Sequence, residues 1–233
     1  MFMDKSIIKK SWICVAMMAV ILIADQVLKI WVKTHFAIGD EVRLIGDWCR
    51  LHFVENEGIA FGLSMGGKVG KLCLTLFRLI ASIVIIVILA RQIKKDTRYS
   101  LLISISLILV GAIGNLVDSC FYGVIFDQST FNHIATLFPP DGGYAPLLFG
   151  RVVDMFYFPI AQWTWPDWIP LLAGKETEFF GAIFNIADSA VCVGVALLII
   201  DQLWLAPAKN DDEIEAKSEE IDTQTAGNTA ETA

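Results

Sequence analysis

The chain has 233 residues, 55% of them hydrophobic, with a formal net charge of −7 and a mean hydropathy of +0.60. That is too apolar for an ordinary soluble domain. Much of the negative charge sits from Lys209 onward, in KNDDEIEAKSEEIDTQTAGNTAETA, an acidic stretch that argues against nucleic acid as a partner and has the composition of a solvated, disordered tail over 208–233.

A span needs about 20 apolar residues, and four runs meet or approach that length. The first covers about 12–32 and follows Lys5, Lys9 and Lys10. The basic start resembles the opening of a signal peptide, but the run is longer than such a core and no small-x-small cleavage site follows. It reads as a retained span. The segment after it, LIGDWCRLHFVENEGIAFGL, alternates apolar residues with glycines and predicts short strands and turns. The second and third runs cover about 69–90 and 101–117, joined by RQIKKDTR. A long connection follows, containing FYFPIAQWTWPDWIP. Its tryptophans suit the headgroup level of a bilayer, as plain anchors or as part of a partly folded cap. The fourth run covers about 182–205. Basic residues at the N-terminus and in RQIKKDTR predict that both lie in the cytoplasm. Both termini are then cytoplasmic, and the two longer connections face outward. A membrane domain over 1–207 is followed by the tail.

Cys14, Cys49, Cys73, Cys120 and Cys192 form no CxxC pair, and His35, His52 and His133 form no HExxH motif. No metal site is expected from them.

The polar residues near the spans gather at one level. Asp25 and Lys29 lie four apart in ADQVLKIWV, on one helix face. Asn56 lies in NEGIAFG, Asn115 and Asp118 in GAIGNLVDS, Asp154 in GRVVDM, and Asn185 and Asp188 in FNIADSAV. With the orientation above, all lie at or just below the outer face. Each also has a plain structural reading: an intrahelical ion pair for Asp25 and Lys29, a helix cap for Asn185, a helix end for Asp118, a solvated loop acid for Asp154. Their convergence points instead to a shared interior, because ionisable groups are costly in a bilayer. Carboxylates are the abundant acid–base groups. There is no candidate Ser–His or Cys–His pair and no phosphate loop. Two carboxylates held close share a proton, so one can activate water while the other donates to a carbonyl. The glycines of GAIGN permit close helix packing.

DQVLK, NEGIAFG, GAIGNLVD, VVDM and FNIADSA, in this order on four spans, resemble the lipoprotein signal peptidase (signal peptidase II) family. The resemblance implies an all-α membrane protein, four transmembrane helices with a small extracytoplasmic β-cradle, a periplasmic helix and an elaborated periplasmic loop. It implies a bacterial inner-membrane aspartic endopeptidase, active at the periplasmic face without metal or cofactor. The substrate would be a diacylglyceryl-modified prolipoprotein, cut before its lipidated cysteine by a protein that works as a monomer among membrane lipids. The catalytic pair of the family falls on Asp154 and Asp188, and its supporting residues on Asp25, Lys29, Asn56, Asn115, Asp118 and Asn185. The family usually has arginine after GNxxD; here that position is Ser119. Arg151, three residues before Asp154, is the candidate replacement cation or else an interfacial anchor. The classes competing with a peptidase are a proton-relaying transporter and a non-catalytic assembly subunit. Four spans without an evident repeat, and carboxylates on one side, weigh against the first; activity of the purified chain distinguishes the second.

Overall fold

The computed structural model describes residues 5–57 and 67–205. Segment 58–66, which holds most of NEGIAFG and the expected periplasmic helix, lies outside the described residues, as does the acidic tail. The chain divides into two compact units, Met1–Leu198 and Ile199–Ala233. Of the second, the described part is the end of the last helix and a π-helical turn, Asp201–Leu205.

Helix α1 runs Lys5–His35, α2 Lys68–Lys94 and α3 Tyr99–Val117. Helix α3 continues through a π-helical turn, Asp118–Tyr122, into the short α4, Gly123–Ile125. Helix α5 spans Ile186–Ile200. Among the described residues, four stretches are long and apolar enough to cross a membrane: Lys5–His35, Lys68–Lys94, Tyr99–Ile125 and Ile186–Trp204. Helix α1 is longer than its apolar run because its charged ends find partners: the Lys10 ammonium reaches the carbonyls of Asp96 and Thr97 at 2.9 and 2.8 Å. Helix α5 starts later than its apolar run, because Ile183 and Phe184 are drawn into a sheet before Asn185 turns the chain.

Trp12, Val20, Ile23 and Val27 on α1 and Phe77 and Ile80 on α2 are all more than half exposed. Large apolar side chains pointing outward on helices of this length are matched by lipid rather than water. Helix α3 is the inner element and packs on α1 and α2. It also receives α5 closely. A β-carbon at Gly111 would stand 2.2 Å from the Ala187 carbonyl oxygen, and one at Gly114 2.9 Å from the Ala187 β-carbon. Gly194 of α5 sits equally close to Ile108 of α3.

Strands β1 (Glu41–Ile45), β2 (Cys49–Asn56) and β3 (Val152–Tyr157) are followed by β4 (Ala161–Thr164), β5 (Glu176–Phe179) and β6 (Ile183–Phe184). One antiparallel sheet has the order β1-β2-β3-β6, and β4 and β5 form a separate hairpin. Strand β2 buries Cys49, Leu51 and Phe53 on alternate positions, as one-sided packing requires. Phe53, Val153 and Met155 meet Val32, Phe36, Tyr122 and Phe126 in a core beneath the sheet. That core seats the sheet on the ends of α1 and α3. The register sets Asp154 opposite Val54 and Val152 opposite Asn56.

Candidate active site

The end of the bundle under the sheet brings together the C-terminal parts of α1 and α3 and the first turns of α2 and α5. Asn185 and Asp188 organise the start of α5. The Asn185 side-chain oxygen accepts from the Asp188 N–H at 2.9 Å, and the Asp188 carboxylate accepts from the Asn185 N–H at 3.4 Å. This is a reciprocal capping box written with Asn and Asp. The Ala187 N–H donates to Asp25 Oδ1 at 2.9 Å, so α1 satisfies a further free donor of α5. Asp188 therefore sits in the first helical turn, where the helix N-terminus favours an anion.

Asp154 comes in from β3. Asn185 Nδ2 donates to its Oδ1 at 2.6 Å, and Asn56 Nδ2 to its Oδ2 at 3.2 Å. Asn115 Nδ2 donates to Asp188 Oδ1 at 2.7 Å, while its oxygen accepts from Asn185 at 3.1 Å. Two carboxylates from different elements are thus held by two linked amides. Asp154 is 3% exposed and Asp188 is half-buried. Burial first, and repulsion from Asp188 second, push the Asp154 carboxyl up to about 7, against the opposing pull of its two amide donors.

Beneath the pair lies a buried ion cluster. The Lys29 ammonium is 3.0 Å from Asp25 Oδ2, 2.8 Å from Asp118 Oδ2 and 3.0 Å from Asn115 Oδ1. Its three donors are all used. Asp118 Oδ2 also accepts from the Val153 N–H at 3.2 Å, which fixes β3 one residue before Asp154. The intrahelical Asp25–Lys29 pair exists, but as part of a wider structure. Asp118 is fully buried, so it does more than end a helix.

The expected residues Asp25, Lys29, Asn56, Asn115, Asp118, Asp154, Asn185 and Asp188 form one connected network. Arg151 is set apart: it lies 3.3 Å from Glu55 and 3.1 Å from Glu57. The guanidinium on Ser119 is that of Arg78, whose Nη1 donates to Ser119 Oγ at 2.9 Å.

Residues 17–204 match the family described as Signal peptidase (SPase) II. The chain belongs to the signal peptidase II family. It is 45% identical over 186 residues to the lipoprotein signal peptidase of Porphyromonas gingivalis, covering 79% of this chain and 80% of that one. It is 35% identical to the lipoprotein signal peptidase of Amoebophilus asiaticus, covering 83% of this chain and 79% of the relative. A solved bacterial membrane enzyme shares 25% identity and a TM-score of 0.54, over 84% of this chain and 93% of that one.

Within this signal peptidase II fold, several site residues have no counterpart among those expected from sequence. Gln26 donates to Asp25 and Asp118 at 3.0 Å each and accepts from the Tyr122 hydroxyl at 3.1 Å. Lys33 is buried against Glu55 and Ser129. It continues the four-residue spacing of Asp25 and Lys29, which was the available signal. Arg78 belongs to a polar stripe on α2 with Lys71, Thr75 and Ser82, spaced as one helix face. Thr75 donates to the Leu148 carbonyl at 3.0 Å and Ser82 to that of Arg78 at 2.8 Å.

Proposed function

We propose that this protein is a membrane-embedded aspartic endopeptidase that removes signal peptides from diacylglyceryl-modified prolipoproteins, cutting before the lipidated cysteine. Membership of a peptidase family supports hydrolysis, and the names of its relatives support the substrate class. The observation that carries the mechanism is the amide-linked pair: Asp154, raised to about 7 beside Asp188, held through Asn185 and Asn115.

In this reading Asp154 holds the proton and Asp188 is the carboxylate. A water between them attacks the scissile carbonyl carbon while Asp188 takes its proton. Asp154 gives its proton to the carbonyl oxygen, leaving a neutral tetrahedral diol. Collapse returns that proton to Asp154 as the C–N bond breaks, and Asp188 protonates the departing nitrogen. Asn185 and Asn115 hold the two carboxyl groups in place. Asp118 and Lys29 fix the strand and helices that carry them. Arg78 supplies positive charge beside the carboxylates at the position where Ser119 stands.

The basic residues at the end of α2 and in the link to α3, Arg91, Lys94, Lys95 and Arg98, support placing that end of the bundle in the cytoplasm. The catalytic end then faces the periplasm, with both termini cytoplasmic and the chain acting as a monomer in the inner membrane. The test is cleavage of a diacylated prolipoprotein by purified full-length protein in detergent, with a chelator present. Asp154→Asn and Asp188→Asn each abolish cleavage while leaving expression and membrane insertion intact. The double variant is no worse than either single one, because the two act as a unit. Substantial cleavage by either single variant overturns that residue's assignment.

A further inference from the structure

The first turn of α2 borders a cleft of about 380 Å³ that the catalytic reading does not use. Lys68, Lys71 and Arg151 line it, with Glu57 as the opposing carboxylate and Tyr144 and Phe149 among its walls. Three cations therefore line the cleft with one acid, and Arg151 is also paired with Glu55 at 3.3 Å, outside the lining. Arg151 is held there by Glu57 at 3.1 Å and by its position over the Tyr144 ring, 5.5 Å from the centroid.

Two independent features say that the cleft takes an anion. The Lys71 ammonium nitrogen is buried and has no hydrogen-bond partner among the described residues. A buried ammonium without an acceptor is costly, and the shortage is one that an oxyanion would fill. The second feature is the helix itself. Helix α2 begins at Gly67 with no side-chain cap, and its first turn carries no acid. Among the described residues, no side-chain cap and no first-turn acid compensates its leading N–H groups and its positive dipole end. Lys68 and Lys71 share a face of that turn.

We propose that this cleft binds a phosphate oxyanion, and that its source is the phosphodiester of an anionic phospholipid. The shape of the site favours a lipid over free phosphate. Tyr144, Pro146 and Phe149 give it an apolar wall beside the cations, as a headgroup joined to a glycerol backbone requires. It lies where a membrane-spanning helix begins, at the level of headgroups. The occupant would sit against Arg151, three residues from Asp154, and so beside the strand that carries the catalytic carboxyl.

The experiment measures binding, not cleavage, so its outcome is independent of the catalytic assignment. Full-length protein in a neutral detergent is titrated with dihexanoyl phosphatidylglycerol, dihexanoyl phosphatidylcholine and inorganic phosphate. Phosphatidylglycerol is expected to bind at least tenfold more tightly than the other two. Lys71→Gln weakens it about tenfold, Lys71→Arg restores it, and the exposed Lys68→Gln weakens it about threefold without burdening the fold. A Lys175→Gln control, distant from the cleft in sequence, leaves binding unchanged. Equal binding of phosphatidylcholine, or phosphatidylglycerol binding indifferent to both Lys71→Gln and Lys68→Gln, overturns the site. Inorganic phosphate binding as tightly as phosphatidylglycerol overturns the lipid assignment in favour of a free anion.

Discussion

Asn185 touches both members of the proposed pair: its amide nitrogen lies 2.6 Å from Asp154 Oδ1, and its oxygen accepts the Asp188 N–H at 2.9 Å. A cap and a catalytic support are thus one side chain. Substitution separates the two roles. Asn185→Ser keeps a good N-cap but is too short to hold Asp154. It is expected to unfold near the wild-type temperature while turnover falls about 10- to 100-fold. Asn185→Ala loses the cap as well, at about 1 kcal/mol. Thermal unfolding in detergent and prolipoprotein cleavage check both. Equal loss of stability in the two variants would remove the distinction.

The raised Asp154 carboxyl predicts a pH profile. If Asp154 must donate a proton, kcat/KM falls as pH rises through about 7. Stability has the same sign. The folded state keeps the Asp154 proton between its ordinary value of 3.8 and about 7, whereas the unfolded chain has lost it. This contribution is therefore fully present below 3.8 and lost as pH rises through about 7. Asp154→Asn removes that pH dependence from unfolding. A rate that stays flat from pH 6 to 9 would argue against Asp154 as the acid.

The spans were legible because lipid demands long apolar runs, and the convergence of Asp25, Lys29, Asn115, Asp118 and Asp188 followed from depth along them. What sequence did not reveal has physical causes. The pairing of Val54 with Asp154 joins strands about a hundred residues apart, a long-range register that no local pattern encodes. Arg78 and Lys71 disappear when hydropathy is averaged over α2, and emerge only as a stripe with the helical period. The pairing of Arg151 with Glu55 and Glu57 joins residues more than ninety positions apart and is likewise invisible in the local sequence. The start of α5 is not marked by hydropathy, because Ile183 and Phe184 are as apolar in a strand as in a helix.

The ion cluster under the pair should be intolerant of partial removal. Among the described residues, Lys29 is the one cation paired with Asp25 and Asp118, and all three are at most 1% exposed. Lys29→Met leaves two buried carboxylates without their counter-charge, a loss of about 3–5 kcal/mol. Replacing Asp25 and Asp118 by Asn in the same chain removes the repulsion and is expected to recover much of the unfolding temperature. It does not recover cleavage, because the contacts to Ala187 and Val153 that place the pair are weakened. Non-additivity in a thermal-unfolding cycle is the readout.

Gly111 tests whether helix packing sets the position of Asp188. An added β-carbon would lie 2.2 Å from the Ala187 carbonyl oxygen, a backbone atom that yields only if α5 moves. Gly111→Ala is expected to destabilise by about 1–3 kcal/mol, as overpacking does, and to lower kcat more than it raises KM. Gly142→Ala is the comparison: its φ of +88° strains an alanine but nothing lies within 4 Å of the added carbon. It should cost stability without the selective loss of kcat.

Arg78 offers the sharpest division between a structural and an electrostatic role. Its guanidinium bonds the Ser119 hydroxyl, and its charge acts on Asp188, Asp118 and Asp154. A charged side chain ten residues into a bilayer-spanning helix is costly unless something requires it. Arg78→Met keeps length and removes charge. Without that charge the Asp154 carboxyl rises further, so the falling limb of kcat/KM moves to higher pH while the maximal rate drops. Arg78→Lys restores the charge but not the planar fork, and is expected to return the limb towards its original position with partial activity. A purely structural arginine would give a different result: Arg78→Met would lower the rate equally at every pH, and the limb would stay at about 7.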